Sequence, residues 1–488
     1  RSDRTDRACK TAKPESRKTG DALGRLRTMH DSMEGHTDTI RALVPLPLEH
    51  PRSPLFVSGS SDGTLRVWDP EAREGGALSV LRGHTGGIYA LTCFHLMSAD
   101  LSGGFYVVSG AFDNTLRLWD PLRRGEALAV LHGHKGTVDA LESFVLMPRA
   151  TQCVASSSGA EVRIWGIAAP PSGSAWEESI STLLVIPVAS RVRGLSSFSV
   201  GFVPHLVAAC DDNVLRHWTL SKGSKGPAAR PSQLGSQLEQ GADHSVAAAA
   251  LPELRGGHRG AVSAVTSYAP LARRGEDSAL HTPRVVSGSE DGTLRVWDAA
   301  TGGALARLAG HTAEVNAACA FSVMGLDGAW RVASGAEDGT VRLWDPLRGG
   351  AALMTLHGHT LPVLGLACDA LAAGEVRIAS GGEDNTLRIW RPEAEALRAA
   401  EPAATAGLSA GAAMHRLACA ACSAPLGWVD VRGTALYVLC DRCHEAAEQG
   451  TSHGHGHGHA EEHAHGPTCC STQAEDGHGH AHAHGHCC

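Results

Sequence analysis

Four cysteines in the last quarter of the chain have the spacing of a metal site. Cys419 and Cys422 form one C-x2-C pair, and seventeen residues later Cys440 and Cys443 form a second. Two such pairs supply four thiolates, which enclose Zn²⁺ in a tetrahedral shell and leave no position for a catalytic water. We therefore expect one structural zinc ion in a small module over residues 415–450, whose folding depends on the metal. Two disulfides in an oxidising compartment are the alternative.

Residues 451–488 alternate His with Gly or Ala. They contain eleven His, four Cys and four acidic residues, and no Lys or Arg. This composition cannot form a packed core, and imidazole and thiolate groups bind zinc, nickel and copper. We expect a disordered tail that binds additional Zn, Ni or Cu ions loosely. The histidines concerned are His453, His455, His457, His459, His463, His465, His478, His480, His482, His484 and His486.

A His, a Ser, an Asp and a Trp recur between residues 26 and 391, and such side chains could form a catalytic set. Segments such as SGSSDGTLRVWD and SGSEDGTLRVWD contain the Ser, Asp and Trp, and a Gly-His pair precedes six units. A group repeated along a chain is most simply a folding device, since a buried Asp needs hydrogen-bond partners. We therefore assign these residues to a structural network, and the Arg two residues before each Trp to packing within the unit. The tryptophans are Trp68, Trp119, Trp165, Trp218, Trp297, Trp344 and Trp390.

The units resemble WD repeats, whose signature is Gly-His followed by Trp-Asp and whose period is about 40–45 residues. The resemblance covers about residues 26–391 and implies an all-β fold, a seven-bladed β-propeller with four antiparallel strands in each blade. Short runs of Val, Leu, Ile and Thr between Asp-Gly and Asp-Asn turns agree with strands and hairpins. The resemblance also implies that residues 26–33 pair with the strand that ends at Trp390 and close the ring, which would otherwise expose two sheet edges.

Two units depart from the repeat pattern. The third has Gly159 where Asp is expected, and the fourth has Val188 at the His position and Ala208 at the Ser position. We expect these two blades to be held less tightly than the others. Extra length is expected between the first and second strands of each blade, and in an insertion at residues 221–250. One face would then carry most of the insertions, either as tolerated loops or as a partner surface.

The opposite face is the common docking surface of WD-repeat proteins. The resemblance therefore points to residues beside the entry of each first strand, and here these differ between units. They mix both charges with an aromatic and an aliphatic side chain, which favours a specific protein segment over a uniform polyanion. The candidate binding residues are Arg41, Tyr89, Asp139, Arg191, Arg193, Glu314, Asn316 and Leu364.

Five more cysteines stand singly within the units, and this distribution indicates a reducing compartment. We therefore expect an intracellular protein, in the cytoplasm, the nucleus or both. Neither secretion nor a membrane span is expected, since a signal peptide and a run of 18 apolar residues are both missing. Residues 1–25 are expected to be a disordered basic arm and residues 392–414 a linker. The single cysteines are Cys93, Cys153, Cys210, Cys319 and Cys368.

Charge and motifs argue against nucleic-acid binding and against catalysis. The net charge of −8 disfavours an overall polyanion binder. The cysteine module loosely resembles a GATA-type zinc finger, but the HEAAEQG that follows it lacks the basic side chains that hold DNA. Since the sequence has no Gly-rich phosphate loop, nucleophile elbow or HExxH, we expect no catalytic residues.

The sequence thus predicts a protein-interaction scaffold of the WD-repeat type, which binds protein partners through the propeller faces. One alternative is a metal-handling protein that buffers or senses zinc, nickel or copper. The other is a substrate receptor of a cullin-type ubiquitin ligase.

Overall fold

The structure, a computed structural model, describes residues 29–392 and Leu397, apart from twelve short gaps within that span. The predicted basic arm, zinc module and histidine tail lie outside the described residues. The gaps are residues 48–54, 73–75, 98–102, 124, 148–149, 172–173, 223–245, 256, 270–281, 324–328, 371–374 and 393–396.

Within the described residues, strands β1 to β28 form seven four-stranded antiparallel sheets, which are the blades of a β-propeller. The first strands of neighbouring blades contact one another in a closed cycle around a central channel.

Blades one and two consist of β2 (Ile40–Leu46), β3 (Leu55–Ser60), β4 (Thr64–Trp68) and β5 (Ser79–Arg82), then β6 (Ile88–Met97), β7 (Gly103–Ala111), β8 (Leu116–Trp119) and β9 (Ala129–Leu131). Blades three and four consist of β10 (Ala140–Leu146), β11 (Thr151–Ser158), β12 (Glu161–Ile167) and β13 (Ile180–Pro187), then β14 (Val192–Val200), β15 (Val203–Cys210), β16 (Leu215–Lys222) and β17 (Val246–Ala250). Blades five and six consist of β18 (Val262–Tyr268), β19 (Arg284–Ser289), β20 (Thr293–Asp298) and β21 (Ala304–Ala309), then β22 (Val315–Val323), β23 (Ala329–Ala336), β24 (Thr340–Trp344) and β25 (Met354–His357). Blade seven consists of β26 (Val363–Ala370), β27 (Val376–Gly382), β28 (Leu387–Arg391) and β1 (Met29–Met33).

The ring is closed by the strand that the sequence predicts. β1 pairs antiparallel with β28, so that Met29 lies opposite Arg391 and Met33 lies opposite Leu387. The last blade therefore takes its outer strand from the beginning of the chain, and both open edges are removed. In the described part of the chain, a helix long and apolar enough for a membrane span is absent.

Five blades contain a complete hydrogen-bonded chain of Trp, Ser, His and Asp. In blade one the indole of Trp68 donates to Ser58 Oγ at 2.7 Å, and Ser58 Oγ lies 2.7 Å from His36 Nε2. His36 Nδ1 lies 2.8 Å from Asp62, which also accepts from the amide of Thr37. The repeated side chains thus form the predicted structural network. The other histidine–aspartate pairs are His84–Asp113, His258–Asp291, His311–Asp338 and His359–Asp384.

The Gly-His turn is packed against its own blade. A Cβ on Gly35 would lie 2.6 Å from the guanidinium of Arg66 and 3.1 Å from the ring of Trp68. Glycine is therefore needed before the histidine, and the arginine two residues before each Trp packs within the blade, as predicted.

Blades three and four lack the complete network, as the sequence indicates. In blade three Ser158 pairs directly with Glu161, so the turn is one residue shorter and the aspartate is deleted rather than replaced by Gly159. In blade four Asp212 forms a two-point ion pair with Arg216, at 2.9 and 2.6 Å.

Some boundaries differ from the sequence predictions. Residues 246–250 form β17, because they pair with β16, so the insertion expected at 221–250 is shorter at both ends. Blade four has only Gly201 and Phe202 between its first two strands, and extra length there was predicted wrongly for this blade. Leu397, in the expected linker, is fully buried against blades six and seven, and its carbonyl accepts from Arg331 at 3.0 Å.

Two of the five cysteines within the units form a disulfide, although their scattered placement in the sequence argues against disulfides. Cys319 of β22 and Cys368 of β26 form a disulfide with a Cα–Cα distance of 6.3 Å, because neighbouring first strands run side by side. Cys93, Cys153 and Cys210 are free thiols. Burial raises the pKa of Cys93 and Cys153 to about 12, which keeps both thiols protonated and unreactive.

Gly381→Ala should destabilise the propeller at the junction between blades seven and one. A Cβ on Gly381 would lie 2.4 Å from Cγ2 of Ile40, which is itself fully buried. We expect a loss of about 1–3 kcal/mol from this overpacking, measured by denaturant unfolding. Gly303→Ala is the control, since its closest contact would be 3.3 Å from the Thr301 hydroxyl. Equal stability of the two variants would contradict the tight junction.

The Glu142→Gln variant should gain stability relative to the wild type as pH rises. Glu142 in β10 accepts from the amide and the hydroxyl of Ser197 in the next blade, at 2.9 and 2.8 Å. Burial raises its pKa from 4.5 to about 7 in spite of these hydrogen bonds. The carboxyl therefore contributes most to stability below pH 4.5, and this contribution is lost as pH rises through about 7.

Glutamine keeps an acceptor for Ser197 and removes the charge. The melting temperature of Glu142→Gln minus that of the wild type should therefore increase between acidic and mildly alkaline pH. A difference that stays constant across this range would show that Glu142 keeps an ordinary pKa.

Candidate functional site

One residue near the start of each first strand is held out of the regular pairing. In six blades the register shifts by one residue at this point, which is a β-bulge. A bulge re-aims the side chain of its extra residue. In blade three the equivalent residue directly precedes β10. We call these seven residues the ring face: Arg41, Tyr89, Asp139, Arg193, Ser263, Asn316 and Leu364.

The ring face lines one cavity of about 380 Å³, together with Arg191 and Glu314. All eight residues predicted from the sequence lie in this lining. Ser263 was missed, although it stands five residues after His258, just as Arg41 stands five residues after His36. That fixed offset could have identified it.

Arg193 connects three blades through ion pairs. Its guanidinium lies 3.1 Å from Glu314, 3.1 Å from Glu290, and in contact with Asp211. Burial raises the pKa of Glu314, against the opposing effects of a hydrogen bond with Ser263 and of the Arg193 charge. Because Arg193 is about one-third exposed, it both neutralises these carboxylates and remains reachable from the channel.

A second ion pair links blades three and four beside the channel. Arg191 donates to both carboxylate oxygens of Asp139, at 2.7 and 3.1 Å. This two-point geometry fixes both side chains. The hydrogen bonds that Arg191 donates to Asp139 raise the pKa of Arg191, so the guanidinium stays charged.

Around Arg41 and Tyr89, several side chains on and beside the ring face are aromatic or apolar. The guanidinium of Arg41 lies 4.5 Å from the ring centre of Tyr89, a cation–π contact, and its Nε donates to Ser61 at 2.7 Å. Tyr89 is followed outward by Phe112, which is 61% exposed, with the two ring centres 6.4 Å apart. Leu361 of blade seven is also exposed. Phe112 and Leu361 therefore expose apolar surface beside the ring face.

A second row of side chains lies beside the ring face, at the turns between second and third strands. In blade seven, for example, the amide of Glu383 donates to the carbonyl of Pro362, two residues before Leu364, and six blades share this bond. Four consecutive blades carry a carboxylate in this row. We call them the acidic arc: Asp211, Glu290, Glu337 and Glu383. This row was not predicted from the sequence, because only the residues at the strand entries were considered.

The site holds charges in fixed positions but has no assembled metal-binding group. Within the described ranges, no three His, Cys, Asp or Glu side chains come together as metal ligands. The predicted zinc cysteines and tail histidines lie outside those ranges. Fixed charges beside exposed apolar side chains can recognise a partner by shape, charge and apolar contact.

Comparisons with known proteins agree with this architecture. The family "WD domain, G-beta repeat" matches residues 27–69, 75–120, 252–298, 302–345 and 350–391. The two blades without a match, three and four, are those that lack the complete network. The chain is also 46% identical over 61 residues to "WD repeat-containing protein pop1" of Schizosaccharomyces pombe, a stretch that covers 12% of this chain and only 7% of that protein.

Among solved structures, the chain is similar to the WD40 beta propeller domain of Doa1, at 19% identity and a TM-score of 0.48. The similarity covers 75% of this chain and 97% of that one. The seven sheets form a seven-bladed β-propeller, and five segments of the chain match WD40 repeats.

Proposed function

We propose that this chain is a protein-interaction scaffold that binds a segment of a partner protein across the ring face. The observation that carries the proposal is the bulge at the start of the first strands. In six blades this backbone device presents side chains of varied chemistry around one cavity of about 380 Å³. A fixed frame with variable side chains is suited to specific recognition of one partner.

The side chains on and beside the ring face support a partner with an apolar anchor and basic side chains. An aliphatic or aromatic anchor would pack on Tyr89, Phe112 and Leu361. Lys or Arg side chains would face Glu337 and Glu383, which are both exposed on blades six and seven. Complementary charge at such a rim speeds association and suppresses wrong partners.

We further propose that Cys419, Cys422, Cys440 and Cys443 bind one structural zinc ion, and that the tail histidines bind further ions loosely. The support for both is the spacing and composition of the sequence. In this proposal the zinc module and the tail add contacts or a metal response to a scaffold that works through its propeller.

Tyr89→Ala should weaken capture of a partner from native extract by about tenfold or more, the effect of losing an aromatic hot spot. The tyrosine lies on the ring face, and its side chain makes no hydrogen bond with the described residues, so the fold should be kept. Leu347→Ala is the matched control, because Leu347 is 73% exposed in the β24–β25 connection at the opposite face.

Capture should be measured with the full chain and with a chain that ends at Gly450. Equal loss from Tyr89→Ala and Leu347→Ala, or no loss from Tyr89→Ala, would contradict docking at the ring face. Loss of the partner with the tail alone would instead favour the metal-handling alternative.

The chain that ends at Gly450 should contain one zinc per molecule, measured by elemental analysis after extensive dialysis. Cys440→Ser should remove this zinc, because three thiolates bind the ion far more weakly than four. The propeller should keep its melting temperature, since every strand of its seven sheets lies before residue 392. Absence of zinc from the truncated chain would contradict the proposed site.

A further inference from the structure

Blade three keeps the donors of the repeat network but lacks the carboxylate that they serve. In blade one the Asp62 carboxylate is held by His36 Nδ1 at 2.8 Å and by the amide of Thr37 at 3.1 Å. Blade three has His134 and Lys135 at the corresponding positions. Its turn is one residue shorter than that of blade one, and the aspartate is the part that is missing.

His134 therefore has a buried nitrogen without an acceptor. The indole of Trp165 donates to Ser156 Oγ at 2.7 Å, and Ser156 Oγ lies 2.6 Å from His134 Nε2, as in the complete blades. In those blades the serine hydroxyl donates to Nε2 and the histidine carries its hydrogen on Nδ1. The His134 side chain is 0% exposed, and its Nδ1 has no hydrogen-bond partner among the described residues.

Glu161 does not fill the missing position. Its carboxylate is 3.8 Å from His134 Nδ1, beyond hydrogen-bond distance, and it accepts instead from Arg163 at 2.5 Å. Burial and the nearby Arg163 charge lower the pKa of His134 to about 4, so the ring is a neutral donor at pH 7. A buried donor left without a partner is costly, at about 1–3 kcal/mol.

An open pocket of about 470 Å³ lies at this position. His134, Lys135, Gly136 and Gly159 line it, and Lys135 adds a positive charge at its exposed rim. The two carboxylates in the lining, Asp139 and Glu161, are already paired with Arg191 and Arg163, which balances their charge. Asp139 and Arg191 also line the ring-face cavity, so the two spaces adjoin.

We propose that the blade-three pocket binds an Asp or Glu side chain of the partner protein, which replaces the missing aspartate and completes the His134–Ser156–Trp165 chain in trans. The proposal rests on the proposed function, because the pocket opens beside the ring face where the partner segment would lie. It specifies that segment further: an acidic side chain at blade three, with its basic side chains directed toward the acidic arc.

Trifluoroacetate is a probe for this pocket that needs no knowledge of the partner. The full chain should broaden its ¹⁹F NMR line, acetate should reverse the broadening, and neutral trifluoroacetamide should stay sharp. Replacing Gly159 and Ala160 with the Ser-Asp-Gly turn of blade one supplies an internal carboxylate. This graft should abolish most of the broadening and raise the melting temperature by about 2–4 °C, since the buried donor gains its acceptor.

His134→Phe keeps the turn and removes the donor, and it should also abolish the broadening. His132→Phe is the matched control, because His132 is exposed in the same loop, and it should leave the broadening unchanged. Broadening that survives both the graft and His134→Phe, or that is equal for trifluoroacetamide, would overturn the assignment.

Partner capture separates this proposal from the proposed function. If the graft weakens capture as Tyr89→Ala does, the acidic side chain of the partner enters the pocket. If the graft captures the partner as well as the wild type while Tyr89→Ala loses it, ring-face docking stands and the pocket assignment falls.

Discussion

The hydrogen-bonded chain from Trp through Ser and His to Asp is the constraint on which the rest of this propeller depends. It joins the turn before the first strand to the turn between the second and third strands. Burial by itself would raise the pKa of Asp62, but hydrogen bonds from Thr64 and His36 hold it at about 2, while burial lowers the pKa of His36. The pair is therefore an ionised carboxylate and a neutral imidazole, which fixes both turns at the same end of the blade.

That constraint separates structure from recognition within each repeat. In the five complete blades the network fixes the histidine, and the bulged residue five positions later lies on the channel, so its identity can change without breaking the network. Arg193 shows the limit of this freedom, because its contacts with Glu314, Glu290 and Asp211 also hold three blades together. Blade three shows the reverse case: loss of the aspartate leaves His134 with a donor that a ligand can use.

Features that recur in every unit could be predicted from the sequence, whereas contacts between units and changes within a single unit could not. The repeated residues, together with their resemblance to WD repeats, identified seven blades, the closing strand, the internal network and eight of the residues around the cavity. Ser263 was missed because a small uncharged residue carries no chemical signal of its own. The shorter turn at Gly159 was interpreted as a replacement, since a deletion is invisible without the strand register. The Cys319–Cys368 disulfide depends on two first strands that are neighbours only in the closed ring.

Docking of a partner on the ring face can be tested by hydrogen–deuterium exchange of the full chain with and without its captured partner. We expect protection at the starts of the first strands and at the turns between the second and third strands. Connections at the opposite face, such as residues 168–179, should not change. Protection confined to that opposite face, with the ring face unaffected, would contradict it.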